Sequence, residues 1–498
     1  MDTRFSSHLT RLLNEGNLST LSKELQRGGV KRLPRKEKVQ VASIARRAGF
    51  HEIALQILYP LIWPSTVQTE EATTEEKAVY AGALVKIGAI EEAVFILEQL
   101  TPGEYPDVLL FLAHAQMFQW KYQNAIPYLN QYLTIQKLSV YQRAVGLLNL
   151  AACFVVEQFY AEAETALNEL TTNAGAQTPP HLLGSAYEIS AQRYMGLKQW
   201  SLALTELERG EKFLANSPTV EAFFIQKWRL SCEAQRDGKF VDYIPRWTEL
   251  RQVAEKLGHW ESLRDLDFIR ATLTRDKEML FRLYFGTPFE SFRKRIFQAS
   301  TESLEIPNEY WWKMGSGEEI KHRVDFFSQN SSLALVPGSI PQRLLATLCS
   351  DFYRPFRIGM LYSLLYPGEY FNPETSPARA YGAIRLLRKH FMHQGVPINI
   401  AKGDGYRLVG EGCCLRIPHR KEMALDPFRP LREKLSGQAF TASQAQACIG
   451  ISAAVVKKFL RTAVDEGRLL RSGAGPSTQY SFKEESFAKK RETLKRRA

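Results

Sequence analysis

Ser376-Pro-Ala-Arg-Ala-Tyr-Gly-Ala-Ile-Arg-Leu-Leu-Arg-Lys-His-Phe391, followed after a short connection by Pro397-Ile-Asn-Ile-Ala-Lys-Gly-Asp-Gly-Tyr-Arg-Leu408, decides how the rest of the chain is read. The first segment opens like a helix, with Ser376 placed to cap the free amides of the first turn and Pro377 carrying a φ already suited to it. Ala380, Ile384, Leu387 and Phe391 recur at helical spacing as one apolar stripe, while Ala378, Gly382, Arg385 and Lys389 fall on the other side. Small residues beside long cations let a helix lie close to a groove while its arginines reach base edges or phosphates. In the second segment Ile398 and Ile400 alternate with polar neighbours, Lys402-Gly-Asp-Gly405 supplies a turn tolerant of positive φ, and Tyr406 and Leu408 resume the alternation, which predicts a β-hairpin.

A basic helix followed by a short hairpin is the core of a winged helix. Ile384-Arg-Leu-Leu-Arg-Lys389 and Gly403-Asp-Gly-Tyr-Arg-Leu408 resemble the recognition helix and wing of the DNA-binding domain of OmpR- and PhoB-type response regulators. The resemblance spans roughly residues 307 to 410: Gln342 to Leu348 looks like the first helix, Ile358 to Leu365 like the second, and Tyr310 to Met314 and Val324 to Val336 read as strands of the small N-terminal sheet. It implies DNA contacts from Arg379, Arg385, Arg388 and Lys389 on the helix and from Lys402 and Arg407 on the hairpin. Tyr381 and Gly382 stand where that family has an acidic and a β-branched residue, so no base preference carries over. The bland alternative is that Arg385, Arg388 and Lys389 merely solvate a surface helix.

A second motif follows a proline-punctuated linker. Thr441 to Cys448 reads as a capped helix, Ile449-Gly-Ile451 as a tight turn and Ser452 as the cap of the next helix. There Val456, Leu460 and Ala463 form the buried stripe and Ala454, Lys458 and Arg461 face away, with Lys457 at the flank. Gly467 ends that helix, and Arg468 to Arg471 and Thr478 to Phe482 read as a hairpin. Residues 431 to 482 resemble the generic bacterial winged helix-turn-helix, which implies Lys457, Lys458 and Arg461 as further DNA contacts; modules of this kind also dock proteins.

Charge supports the nucleic-acid reading. Residues 341 to 498 hold 27 Lys and Arg against 13 Asp and Glu, and residues 1 to 340 hold 38 against 40, so the net charge of +12 comes from the C-terminal third. A near-neutral body joined to a basic end suits a DNA-binding protein with a separate sensing or assembly part. No apolar run is long enough to cross a bilayer, and Met1-Asp-Thr-Arg-Phe5 does not start a signal peptide, which places the expected location in the cytoplasm. Six cysteines without C-x-x-C spacing and nine dispersed histidines offer no metal framework. No nucleophile elbow, phosphate loop or dinucleotide fingerprint suggests an enzyme or a cofactor. The acidic phosphoacceptor domain that response regulators carry is also missing.

Between about 1 and 285 the chain reads as helical and repetitive. An aromatic or aliphatic residue precedes a small or aromatic one by three at Ile90/Ala93, Tyr122/Ala125, Tyr160/Ala163, Trp200/Ala203 and Phe240/Tyr243, marks that lie 32, 38, 40 and 40 residues apart. An earlier copy, Gly49 to Ala54, fits with a one-residue offset. Pro60, Pro64, Pro102, Pro106, Pro179, Pro180 and Pro218 are expected between helices. Gly88-Ala-Ile-Glu-Glu-Ala93 and Lys121-Tyr-Gln-Asn-Ala125 resemble tetratricopeptide repeats, although the family's terminal proline is mostly missing, and other helical-hairpin repeats stay open. That resemblance implies a solenoid with a concave, peptide-sized surface; the alternative is an array that only spaces or dimerises the basic end. The tryptophans of the array are expected to pack between repeats.

The expected architecture is therefore mainly α: a solenoid over 1–285, a joint over 286–306, and two small α+β winged-helix domains over 307–417 and 431–482. Residues 418–430 are a linker and 483–498 a basic tail. The expected protein is a bacterial, non-enzymatic, DNA-binding transcription regulator without cofactor or metal. Its expected partners are double-stranded DNA and a protein or peptide on the repeats, with a homodimer as a possible assembly and no membrane. The competing reading is a scaffold in which both parts dock proteins.

Overall fold

A helical hairpin owes its shape to its turn, and one turn recurs through the first half of the chain. The structure is a computed structural model that describes residues 3–482 apart from 28–29, 31–32, 64–69, 174–177, 215–219, 300–303, 316–318, 329–330, 337, 420–430, 432–433, 436, 450–452 and 466. Its helices pair as α1 (Thr3–Asn14) with α2 (Leu18–Gln26), α3 (Arg35–Arg47) with α4 (His51–Ile62), and α5 (Thr74–Ile87) with α6 (Ile90–Leu97). The series continues with α7 (Asp107–Phe118) and α8 (Tyr122–Leu133), α9 (Val140–Val156) and α10 (Tyr160–Asn173), and α11 (Pro180–Gly196) and α12 (Trp200–Leu214). It then runs through α13 (Val220–Asp237), a 3-10 turn at Phe240–Tyr243, α14 (Ile244–Leu257), α15 (Trp260–Thr274), α16 (Lys277–Phe285) and α17 (Glu290–Ala299).

The marked residues of the sequence period, Ile90, Tyr122, Tyr160, Trp200 and Phe240, are each the first residue of a helical element. Two positions before each, and before α2, α4 and α15, one residue takes a left-handed backbone: Gly16, Gly49, Gly88, Trp120, Gln158, Lys198, Gly238 and Gly258, with φ between 58° and 89°. At seven of these turns the next amide bonds back five residues over 2.8–3.0 Å, as Phe50 N does to Ala45 O and Gln199 N to Tyr194 O, which satisfies a carbonyl the helix end would leave open. Three positions into the second helix stand Ala54, Ala93, Ala125, Ala163 and Ala203, all fully buried, so the two helices can approach closely. The copy at His51 and Ala54 is thus in phase, and the one-residue offset expected for it disappears. Trp120, Gln158 and Lys198 hold a conformation that costs an L-residue free energy. Gln158→Gly and Lys198→Gly should each raise stability by about 0.5–1 kcal/mol, read from the denaturant midpoint; a lowered midpoint would mean the side chain matters more than the turn.

The two helices of a pair are buried differently. On the second helices burial follows one stripe, as at Ala203, Leu207, Gly210 and Leu214 of α12 or Trp247, Leu250 and Ala254 of α14. The first helices pack on one another, α3 on α5, α5 on α7, α9 on α11, α11 on α13 and α13 on α15. Burial is widest on α5 and α7, where Ala78 through Val85 and Val108 through Ala113 are buried without a break. Buried charge follows: Glu76 caps α5 through Thr73 and receives Arg35 Nε from α3 at 2.6 Å. Burial raises the Glu76 carboxyl, but Arg35 and Thr73 outweigh it and hold it below its ordinary range.

Glu188 of α11 is the opposite case. Burial pushes its carboxyl up to about 7 against the pull of Lys227, while Gln192 Nε2 donates to it at 2.6 Å. Its folded-state pKa lies above the ~4.3 of an unfolded chain, so the folded chain binds the extra proton between these values, and stability falls as pH rises from about 4 to about 7. Glu188→Gln should therefore be more stable than the native chain by roughly 1–3 kcal/mol at pH 8, with the gap closing by pH 4 to 5. Denaturation at the two pH values checks this; a gap independent of pH would exclude titration of Glu188 as its cause.

Contacts divide the chain into two units, Met1–Leu283 with Phe289–Leu304, and Tyr284–Pro288 with Glu305 onward. The stretch expected as a joint, 286–306, is thus split, and most of it belongs to the first unit. There Phe289, Phe292 and Ile296 are buried, and α17 packs on residues far away in sequence. Phe289 stacks on Trp120 at 5.7 Å, Phe292 meets Trp120 edge-on at 4.9 Å and Phe268 at 5.5 Å, and Trp120 Nε1 donates to Glu261 of α15 at 3.2 Å. Trp120 packs as the sequence suggested. The segment from Phe289 to α17 thus packs on the turn before α8 and on α15. Pro60, expected between helices, lies inside α4 near its end, and Pro180 opens α11. Pro64 and Pro218 lie outside the described residues.

In the second unit β1 (Glu309–Met314) and β2 (His322–Val324) flank β5 (Cys413–Pro418), antiparallel and parallel respectively. The strand expected over 324–336 ends at Val324, because the Asp325 carboxylate accepts from the amides of Phe327 and Ser328 and turns the chain. Helices α18 (Ile340–Leu348), α19 (Ile358–Leu365) and α20 (Ser376–His393) follow, then the hairpin β3 (Ile398–Lys402) and β4 (Tyr406–Gly410). The chain continues with α21 (Ala442–Ile449), α22 (Ala453–Asp465) and a second hairpin of β6 (Leu469–Ser472) and β7 (Gln479–Phe482). Of the expected linker, 418–430, Pro418 instead closes β5, and residues 420–430 lie outside the described residues, as do 450–452 of the expected turn and the tail from 483. No helix among the described residues is long and apolar enough to cross a membrane.

Candidate nucleic-acid interface

The stripe predicted for α20 is the buried one: Ala380, Ile384, Leu387 and Phe391 are at most 2% exposed. Arg385 and Lys389 stand one turn apart on the exposed side, with the exposed Ala378 before them and Gly382 leaving that side thin. The helix starts differently from the expectation. Thr375 is the cap position, and the buried Ser376 turns its hydroxyl back to accept from Asn372 N at 2.9 Å, while Asn372 Oδ1 accepts from Glu374 N and Thr375 N. Asn372 thus organises the entry, a role that Ser before Pro conceals.

Two of the four helix cations expected on DNA are committed elsewhere. Arg379 lies over the Tyr366 ring at 4.0 Å, donates to Tyr362 Oη at 3.0 Å and forms an ion pair with Glu369. Burial works against its charge, but Glu369 more than compensates and holds the guanidinium above its ordinary range. Arg388 donates through Nε to the Ile400 carbonyl of β3 at 3.2 Å, which ties helix to hairpin. Both are thus bonded within the fold, and both stay exposed on the helix surface.

The hairpin sits against the helices through a second contact. Phe356, just ahead of α19, exchanges both backbone bonds with Tyr406 at 2.9 Å, and a Cβ on Gly405 would lie 2.9 Å from the Phe356 carbonyl oxygen, so glycine is needed there. Tyr406 in turn packs toward the exposed Tyr381 of α20, with ring centroids 6.3 Å apart. Lys402 and Arg407 are exposed at the hairpin end. The exposed face of α20 also carries Leu386 and Met392, 53% and 72% exposed, which the charge pattern did not signal.

The second module repeats the plan. Phe440, just ahead of α21, exchanges both backbone bonds with Tyr480 of β7 at 2.8 Å, as Phe356 does with Tyr406. Thr441 and Gln444 form the predicted reciprocal cap of α21. Val456, Leu460 and Ala463 of α22 are buried together with Phe459, and Lys457, Lys458 and Arg461 are exposed. Arg468, expected to open a strand, is buried and donates to the Gly338 carbonyl at 2.8 Å, immediately before the Ser339 cap of α18. One guanidinium thus fastens the second module to the helical part of the first.

No family model and no curated protein matches this chain. Among solved structures it is similar to the apo form of RapI, with 10% identity and a TM-score of 0.39 over 61% of this chain and 95% of that one.

Proposed function

We propose that the chain is a DNA-binding transcription regulator, in which the two C-terminal modules act as winged helices on double-stranded DNA and the helical repeats receive a protein partner. The observation that carries this reading is the exposed pair Arg385 and Lys389 on the thin side of α20, beside Lys402 and Arg407 on the hairpin. Long cations on a helix narrow enough to enter the major groove suit base-edge contacts, and hairpin cations suit the flanking phosphates. The confinement of basic excess to residues 341–498 supports it, and so does the shared helix-turn-helix and hairpin plan of the second module, with Lys457, Lys458 and Arg461 exposed on α22. The regulator would work in the cytoplasm and catalyse no reaction of its own.

Leu386 and Met392 favour a second reading, a scaffold that docks protein on α20, because exposed apolar groups on a basic helix also suit a partner surface. An electrophoretic shift with random genomic fragments separates the two. The full chain should retard DNA and residues 1–304, which keep the first unit whole, should not. Absence of retardation by the full chain at low ionic strength would leave the scaffold in its place.

A further inference from the structure

Three helices of the first unit border an open cavity of about 360 Å³, lined by Trp247 and Arg251 of α14, Asp267 and Arg270 of α15, and Met279 and Arg282 of α16, among others. Its lining holds three arginines and one aspartate. That carboxylate is engaged: Asp267, almost fully buried, accepts from Arg251 Nε at 3.0 Å and from Arg251 Nη2 at 3.4 Å. The Arg270 guanidinium carbon lies over the Trp247 indole, 4.8 Å from its centroid, and Arg270 has no carboxylate within ion-pair reach among the described residues. A guanidinium held over a ring by its quadrupole still has N–H donors to offer to a further partner. The indole is itself fixed, because Trp247 Nε1 donates to the Leu266 carbonyl at 3.1 Å, so the platform under Arg270 does not need to form when a ligand arrives.

We propose that this cavity binds a small ligand through an anionic group, a phosphate or a carboxylate held by Arg270. The shared chemistry is a planar fork of donors meeting two coplanar oxygens, which either group offers. The volume lies at the lower end of that of small-molecule sites and admits a ligand of modest size, not a folded partner. Because α14, α15 and α16 each contribute to the lining, an anion there would tie three helices at the end of the array together. The site would be a place for an effector separate from the DNA-contacting residues, and it stands whether or not the chain binds DNA.

The test uses the full chain and the arginine reagent phenylglyoxal, with peptide mapping by mass spectrometry in chloride, inorganic phosphate or acetate at equal ionic strength. Phosphate or acetate should slow modification of Arg270 at least fivefold while exposed Arg11 reacts at an unchanged rate, and the protecting anion identifies the group. In the same buffers the protecting anion should raise the melting temperature saturably in the native chain and in the Arg385→Ala/Lys389→Ala chain but not in Arg270→Gln. Equal rates at Arg270 in all three buffers, or a thermal shift that Arg270→Gln retains in full, would overturn the proposal.

Discussion

Arg385→Ala combined with Lys389→Ala should weaken binding of the full chain to double-stranded DNA by about a hundredfold or more, with the circular dichroism spectrum unchanged. Each side chain is exposed on the side of α20 away from the buried stripe, and each lost base-edge contact is worth about 1–3 kcal/mol. Their removal leaves the fold intact because neither contributes to the helix–hairpin attachment. Arg388→Ala is the informative contrast: it removes the bond to the Ile400 carbonyl and should lower the melting temperature, whereas the double variant should not. Unaltered affinity in the double variant would remove α20 as the reader.

The second large effect lies in the repeat unit. Arg264 of α15 is completely buried, lies over the rings of Phe289 and Phe292 at 5.1 and 5.8 Å, and pairs with Glu261, which also accepts from Trp120. Arg264→Ala should destabilise this unit by about 3–5 kcal/mol, because it empties the space between α15 and α17 and removes the cation facing two aromatic rings. Glu261 Oε1 is buried without a partner, but the side chain as a whole is 43% exposed and has room to turn toward water once the cation is gone, so lost packing accounts for most of the cost. Arg264→Met refills the space without the charge and should cost far less. Urea titration followed by tryptophan fluorescence measures both; equal losses in the two variants would assign the effect to charge instead.

The period of the repeats was legible because the residue opening each second helix is large, the one three later is alanine in five of them, and five of the eight turns carry glycine at the left-handed position. Trp120, Gln158 and Lys198 concealed the other three turns, since nothing in those side chains advertises positive φ. Helix α17 was missed although Phe289, Phe292 and Ile296 stand at helical spacing, because the run is short and lies among polar residues. On α20 the pattern separated buried from exposed correctly but could not say which exposed cations were engaged. Glu369, Tyr366 and the Ile400 carbonyl meet Arg379 and Arg388 only through tertiary structure. Arg468 is the same case, since its partner Gly338 lies 130 residues away. The cavity around Arg270 left no trace in the sequence, because it is assembled from helices whose arginines look like ordinary surface charge.

Arg468 also changes how the two modules should act. A flexible tether would let each find DNA separately, whereas the bond to Gly338 holds α22 at a defined place relative to α18. Phosphate contacts from both modules should then count together in the salt dependence. The direct measurement is the slope of log affinity against log salt for the full chain on mixed-sequence duplex, beside the Lys457→Ala/Lys458→Ala/Arg461→Ala chain. Every phosphate neutralised contributes about 0.9 to the slope. The account predicts a slope of about −4 or steeper for the native chain, shallower by about 2 units in the triple variant. A native slope near zero, or no binding at low salt, would contradict it.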